Sequence, residues 1–371
     1  MTGAGPVPWR PAPAELAELE AEHRARVARL DPSVVVPDLA ADGATPAGLL
    51  AVRLPDGSRA AGVVTTTDVD ARSSAATFRA LREHRLRARA AGPDVTGAVA
   101  ALLDVWTGRY RHDVAPRTGA RAPVTDRVAA DHGPAGDGLA DHGLPDDRIA
   151  DHGLAVAWPS RDVEAVAALA ASGLRPSAHL AARRGARPPA DGSSPDGPSP
   201  DGGPVLRDAT PDDVDAVLAH QLDEIALDAL VGAARVRPGA AAALRPQVAA
   251  AVDREDSAVL VAEAPGPGGA HEVVGVVAVE PPRLSRPVAA AVTGAPAAYL
   301  VVLHVGAAAR GRGTGTALVD AALRRVHDRW GPGTTVLLHH GVLNPLSAPF
   351  WARHGFRPVL TTWELPVTPT T

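Results

Sequence analysis

The stretch with the clearest chemical capacity is Arg310-Gly311-Arg312-Gly313-Thr314-Gly315. It sits where a strand should end and a helix begin. The first N–H groups of a helix lack intrahelical partners, and the macrodipole adds positive potential there. Glycine lets the backbone approach a phosphate with no Cβ in the way. The expected chemistry is therefore anion binding. A Walker loop is excluded, because it needs a lysine and the chain contains none. A dinucleotide-binding turn needs Gly-x-Gly-x-x-Gly and an acidic residue about 20 positions on. The spacing here is instead Arg-x-x-Gly-x-Gly, with Arg310, Gly313 and Gly315 at the fixed places.

The flanking elements must position that turn. The apolar, β-branched run Tyr299 to Val305 predicts a buried strand. After the turn, Val319, Ala322, Leu323, Val326 and Trp330 fall at the spacing of one buried helix face. A second strand is expected over Thr335 to Val342, followed by Asn344 and a short helix that closes on Phe350-Trp351-Ala352-Arg353-His354-Gly355-Phe356. An Arg-x-x-Gly-x-Gly turn followed by Asn and aromatic-aromatic-x-x-x-Gly-Phe resembles the GCN5-related N-acetyltransferase (GNAT) superfamily. The two motifs occur in that family's order and separation.

The resemblance implies a mixed α/β (α+β) fold, with a central sheet flanked by helices. It also implies acetyl-CoA as co-substrate, no metal, and direct transfer of an acetyl group to a primary amine of a small molecule or protein. The loop amides of Gly311, Arg312, Gly313, Thr314, Gly315 and Thr316 would hold the pyrophosphate, with charge from Arg310 or Arg312. Backbone groups of Leu303 and Val305 would face the thioester in a gap between two diverging strands. Asn344 and Phe350 would complete the cofactor site, although Asn344 is equally suited to cap the helix near Leu346. The family often places a tyrosine as general acid at the position that here holds Trp351, and indole cannot serve. Ser347 is the substitute candidate. Base candidates are His304, His340 and Glu280, with His339 also weighed. Histidine suits the task because its pKa lies near working pH. Alternation along the strand sends His339 and His340 to opposite faces. The missing tyrosine leaves a second reading open, an acyl-CoA-binding sensor or scaffold without turnover.

Composition narrows the rest. The chain has 371 residues, net charge −5 and no cysteine. Disulfides, thiolate metal sites and cysteine nucleophiles are excluded. No long basic block marks a nucleic-acid surface. No signal segment and no apolar run of membrane-spanning length are recognised, so a cytoplasmic location is expected.

The N-terminal half carries its own pattern. Helices are expected over 14–30, 95–106 and 162–172, a hairpin over Leu49–Leu54 and Ala60–Thr66, and a strand at Ala155–Trp158. Gly173-Leu174-Arg175-Pro176 echoes Gly355-Phe356-Arg357-Pro358, and the same shift of 182 residues (355 minus 173) lays Asp162 on Asn344. This predicts a second, degenerate GNAT-like unit in tandem. Its would-be loop, Arg89 to Asp94, opposes phosphate binding: Pro93 lacks an N–H, and Asp94 brings a carboxylate. The expected division is 1–184, a linker at 185–204 rich in Pro, Gly, Ser and Asp, and a GNAT domain over 205–371. A monomeric pseudo-dimer or a homodimer would follow. Asp131-His132-Gly133, Asp141-His142-Gly143 and Asp151-His152-Gly153 recur every ten residues. This tract reads as an expanded insert near 126–151 and not as a metal site.

Overall fold

The computed structural model describes residues 6–39, 48–114, 151–185, 204–266, 271–294 and 296–365. The first two Asp-His-Gly repeats and most of the 185–204 segment lie outside the described residues. In chain order the N-terminal half contains β1 (Val7–Pro8), α1 (Pro13–Leu30), β2 (Leu49–Arg53), β3 (Arg59–Asp68), β4 (Arg82–Ala91), α2 (Val95–Val114), β5 (His152–Pro159), α3 (Val163–Ala171) and β6 (Arg175–Arg183). The C-terminal half contains β7 (Val205–Asp208), α4 (Val214–Leu230), α5 (Ala240–Asp253), β8 (Ala258–Pro265), β9 (His271–Glu280), α6 (Arg286–Ala289), β10 (Ala297–Val305), α7 (Thr314–Trp330), β11 (Thr335–Gly341), α8 (Ser347–Arg353) and β12 (Arg357–Leu365).

The two series match element by element from β2 and β8 onward. In each, three strands pair antiparallel, a helix crosses over to a parallel strand, and a short helix leads into a final strand. All twelve strands nevertheless form one sheet, in the order β1-β2-β3-β4-β5-β12-β6-β11-β10-β9-β8-β7. Each half's last strand is inserted into the other half. β12 pairs with β5, β6 pairs with β11, and the two pair with each other at the centre.

The register obeys the sequence repeat. Arg357 lies opposite Ala182 and Glu364 opposite Arg175, and both pairs map onto each other under the same 182-residue shift. The centre of the sheet is thus an internal two-fold, and the halves at 1–184 and 205–371 are not separable sheets.

Packing follows the patterns that the sequence carries. Leu318, Val319, Ala322, Leu323 and Val326 of α7 are buried against β8, β9 and β10. Burying side chains of this size contributes roughly 1.5–3 kcal/mol each. α4 and α5 cover the opposite face through Val217, Leu218, Ile225, Leu244 and Val248. In the N-terminal half, Trp106 and Trp158 anchor a comparable core between α2, α3 and the sheet.

Several elements differ from expectation. Arg89 to Ala91 belong to β4, which leaves only Gly92 to Asp94 as the turn. The third Asp-His-Gly lies at the start of β5, where Asp151 pairs with Arg237. Among the described residues no group of His, Asp and Glu is arranged to hold a metal ion. Nor is any helix among them long and apolar enough to cross a membrane.

Candidate active site

α7 begins at Thr314, after β10 ends at Val305 and the chain passes through a short turn at Ala307–Ala309. Gly311 and Gly313 have φ of +74° and +83°, a region that side chains with a Cβ disfavour. A Cβ built at either would meet nothing within 4 Å, so the loop surface is open. Gly313 is the N-cap, and no side chain caps the helix. The helix start thus presents its amides without a protein carboxylate of its own. Phe350 supports the turn from below, its ring 3.5 Å from where a Gly315 Cβ would lie. The buried Thr314 hydroxyl donates to the Ala309 carbonyl at 3.4 Å and fixes the loop's inner edge.

Arg310 does not face this surface. Its Nε donates to the Val305 carbonyl at 2.8 Å, and its Nη2 lies 3.2 Å from His304 Nε2. It ties the loop to the strand through the Val305 carbonyl. Arg312 remains exposed on the loop.

The strands beside the loop diverge. β10 and β11 pair only from Ala297↔Thr335 to Leu300↔Leu338. A bulge between Leu300 and Val302 accompanies the divergence. Bulges bend a strand and redirect side chains. Beyond it the Leu303 amide interacts with the carboxyl of Glu224 on α4.

A cavity of about 470 Å³ opens at this gap, and both halves line it. α4 contributes Gln221, Glu224 and Asp228. β10 and β11 contribute Tyr299, His339 and His340, while Arg79 and Arg85 come from the N-terminal half. Burial, reinforced by Asp228, pushes the Glu224 carboxyl well above its ordinary value. Burial likewise raises Asp228, partly offset by a hydrogen bond from Asn344. Tyr299 Oη lies 2.9 Å from His339 Nδ1. Burial and the nearby Glu224 raise the Tyr299 phenol, and burial lowers His339 to about 4.

The sequence-derived catalytic candidates fare differently. His304 is buried beside His220, with the two Nδ1 atoms 2.7 Å apart, and burial lowers it to about 4. It does not line the cavity. His340 borders the cavity, but its ring is buried against His179, and its partner His339 is the one that meets Tyr299. Ser347 starts α8 and does not line the cavity. Glu280 faces a smaller adjoining hollow with Gln221 and Gln247, and burial raises its pKa. Asn344 caps the turn into α8, accepting from the Leu346 amide at 3.1 Å. Trp351 is core, packed on Phe350 and Phe356.

Glu224 and Asp228 had a sequence signal. With Gln221 and the core residue Ile225 they occupy i, i+3, i+4 and i+7, which puts three polar groups on an inward-facing helix stripe.

The fold and site together define a mixed α/β architecture with an open glycine-rich loop beside a split sheet. Residues 228–356 match the model of the Acetyltransferase (GNAT) family, and the chain carries a GNAT-family domain. No curated protein matches the sequence. A crystal structure of a GCN5-related N-acetyltransferase from Sphaerobacter thermophilus superposes with a TM-score of 0.52 at 15% identity, covering 99% of this chain and 97% of that one. That likeness establishes the fold over both halves. A tandem GNAT protein from the clavulanic acid biosynthesis pathway aligns over 99% of each chain at 16% identity, with a TM-score of 0.39. A GCN5-related N-acetyltransferase from Kribbella flavida aligns over 82% of this chain and 85% of that one, at 13% identity and a TM-score of 0.37.

Proposed function

We propose that the protein is an acetyl-CoA-dependent N-acetyltransferase whose C-terminal half, residues 205–371, holds the co-substrate and whose N-terminal half, residues 1–184, completes the acceptor pocket. The observation that carries this reading is a helix start with no cap of its own, beside a split between parallel strands at which a cavity lined by Glu224 and Asp228 opens. The residues present fit coenzyme A: the amides of Gly311 to Thr316 suit its pyrophosphate, and the β10–β11 gap suits its extended arm. When bound, the co-substrate would supply an activated acetyl thioester.

The remaining work falls to this chain's side chains. Glu224 is the base that takes a proton from the acceptor amine. Its raised pKa makes it a stronger base than an exposed carboxylate, as general-base catalysis near neutral pH requires. Tyr299 and His339, joined by a hydrogen bond, form the proton route on the other wall and replace the tyrosine missing at position 351. The rest of the rate enhancement comes from holding the reactants together.

The test is thiol release from acetyl-CoA with a panel of primary amines, beside calorimetric titration with coenzyme A. Turnover lost in Glu224→Gln with coenzyme A affinity kept supports the reading. Saturable binding without thiol release from any amine would favour the sensor alternative. A monomeric protein is the expected state, because each half already receives its partner strand from the same chain.

A further inference from the structure

The cavity's two charged walls do not match each other, and the mismatch has a chemical meaning. On α4, Glu224 and Asp228 make no salt bridge among the described residues. On the facing wall, Arg79 and Arg85 both converge on one carboxylate, that of Glu83. Arg79 Nη2 lies 2.7 Å from it, and Arg85 contributes Nε at 3.0 Å and Nη2 at 3.1 Å. Two guanidiniums and one carboxylate leave one positive charge unmatched. The neighbouring arginines are not in this position: Arg235 pairs with Glu364, and Arg237 with Asp151. Glu83 is buried, whereas Arg79 and Arg85 keep 33% and 34% of their side-chain surface exposed where they line the cavity.

We infer that the acceptor is an amino-carboxylate, its amine placed at Glu224 and Asp228 and its carboxylate bound by Arg85 and Arg79 of the N-terminal half. This rests on the acetyltransferase reading and adds the acceptor's class to it. A single unmatched positive charge suits a monoanion. The planar guanidinium fork suits a carboxylate held by two parallel hydrogen bonds. The cavity's size fits a small molecule of amino-acid dimensions. Arg85 also acts on His339, whose pKa its charge helps to lower. It therefore reaches across the boundary between the halves, and a role in selecting the acceptor would explain why a half without its own loop is joined to the catalytic one.

The experiment compares matched pairs that differ only in the carboxylate: lysine against cadaverine, and 5-aminopentanoate against butylamine. Each is titrated calorimetrically into the full chain saturated with coenzyme A, and each is assayed for thiol release from acetyl-CoA. The carboxylated member of at least one pair should be favoured by about tenfold or more, the scale of one hydrogen bond to a charged group. In Arg85→Ala that ratio should fall toward one, with Arg85→Lys in between, while coenzyme A affinity reports that the variants are folded. Equal or better performance by the decarboxylated members overturns the inference. So does a preference that survives in both Arg85→Ala and Arg79→Ala, or coenzyme A binding with no amine of either kind bound. A wild-type chain that binds no coenzyme A would instead overturn the acetyltransferase reading beneath it.

Discussion

Two long helices of this chain begin directly after a central strand, α2 at Val95 and α7 at Thr314, and their starts are opposites. At α2 the preceding turn is Gly92-Pro93-Asp94. The Asp94 carboxylate accepts from the Gly97 amide at 2.7 Å, and the Asp94 amide donates to Ser58 Oγ at 2.8 Å. A Cβ at Gly97 would come within 2.2 Å of that carboxylate, which lies across the helix start. At α7 nothing of the kind intervenes.

The sheets beside them differ in the same sense. β3 and β4 pair in unbroken register from Arg59↔Ala91 to Asp68↔Arg82, with no bulge. Past Leu86, where β4 and β5 part, the space is closed by the protein's own groups. The Trp158 indole donates to Asp162 at 2.7 Å, Arg26 of α1 holds the same carboxylate, and the buried His23 packs edge-on against Trp158. A duplicated fold has thus been sealed in one copy and left open in the other. The difference lies in a bulge, a turn and a few side chains, not in topology.

The largest effect should follow from making the open start resemble the sealed one. Gly313→Asp forces a side chain into a left-handed conformation, at a cost of about 1–2 kcal/mol, and sets a negative charge before the phosphate site. Coenzyme A affinity should fall by more than about 100-fold by calorimetry. The wild-type stoichiometry should be one per chain, and Asp94→Gly should not raise it to two. A value of two would break the comparison.

Next is Glu224→Gln, expected to lower kcat by about 10²–10³-fold with coenzyme A affinity retained. Because burial raises this carboxyl, its basic form is present only above a pKa higher than the usual carboxylate range. The wild-type kcat/KM should therefore rise with pH through that raised value, and the variant should lose this limb.

Asp162→Ala leaves Arg26 and the Trp158 indole without their buried partner. It should cost about 3 kcal/mol in denaturant unfolding. The repeat-related Asn344→Ala removes a cap and a long hydrogen bond to Asp228 and should cost about 1 kcal/mol.

Acid tests the sealed half as well. Burial and the charge of Arg89 lower His23 from 6.5 to about 3. The unfolded chain therefore binds a proton that the folded one refuses. Stability is unaffected above pH 6.5 and declines as pH falls from 6.5 toward 3. His23→Gln should flatten that part of the stability profile.

Much of this could be read from the sequence where periodicity or local turn chemistry decides the structure. The buried stripe of α7, the hairpin of β2 and β3, the Asp162 helix start and the Pro93-Asp94 block all announce themselves within a few residues. β4 does not. Arg82, Arg85, Arg87 and Arg89 make it look like a surface segment, yet Arg87 and Arg89 donate through Nη2 to the carbonyls of Leu39 and Pro37. His304 resembles a base until His220, 84 residues away, is found against it. The exchange of β6 and β12 leaves no local trace, because a strand shows the same alternation whichever neighbour it joins. Glu224 and Asp228 were legible as carboxylates on an inward stripe of α4. Their importance depends on the cavity that strands from elsewhere create.

The interleaved final strands also govern how the chain can be made. While the ribosome is still extending the second half, β5 has no neighbour on its far side, because β12 follows it only after the whole second series of elements. The nascent first half must persist with an exposed backbone edge, and closing it requires contacts spanning most of the polypeptide, a slow step open to off-pathway pairing. Protein cut between the halves should yield fragments that seek each other, or copies of themselves, through those waiting edges.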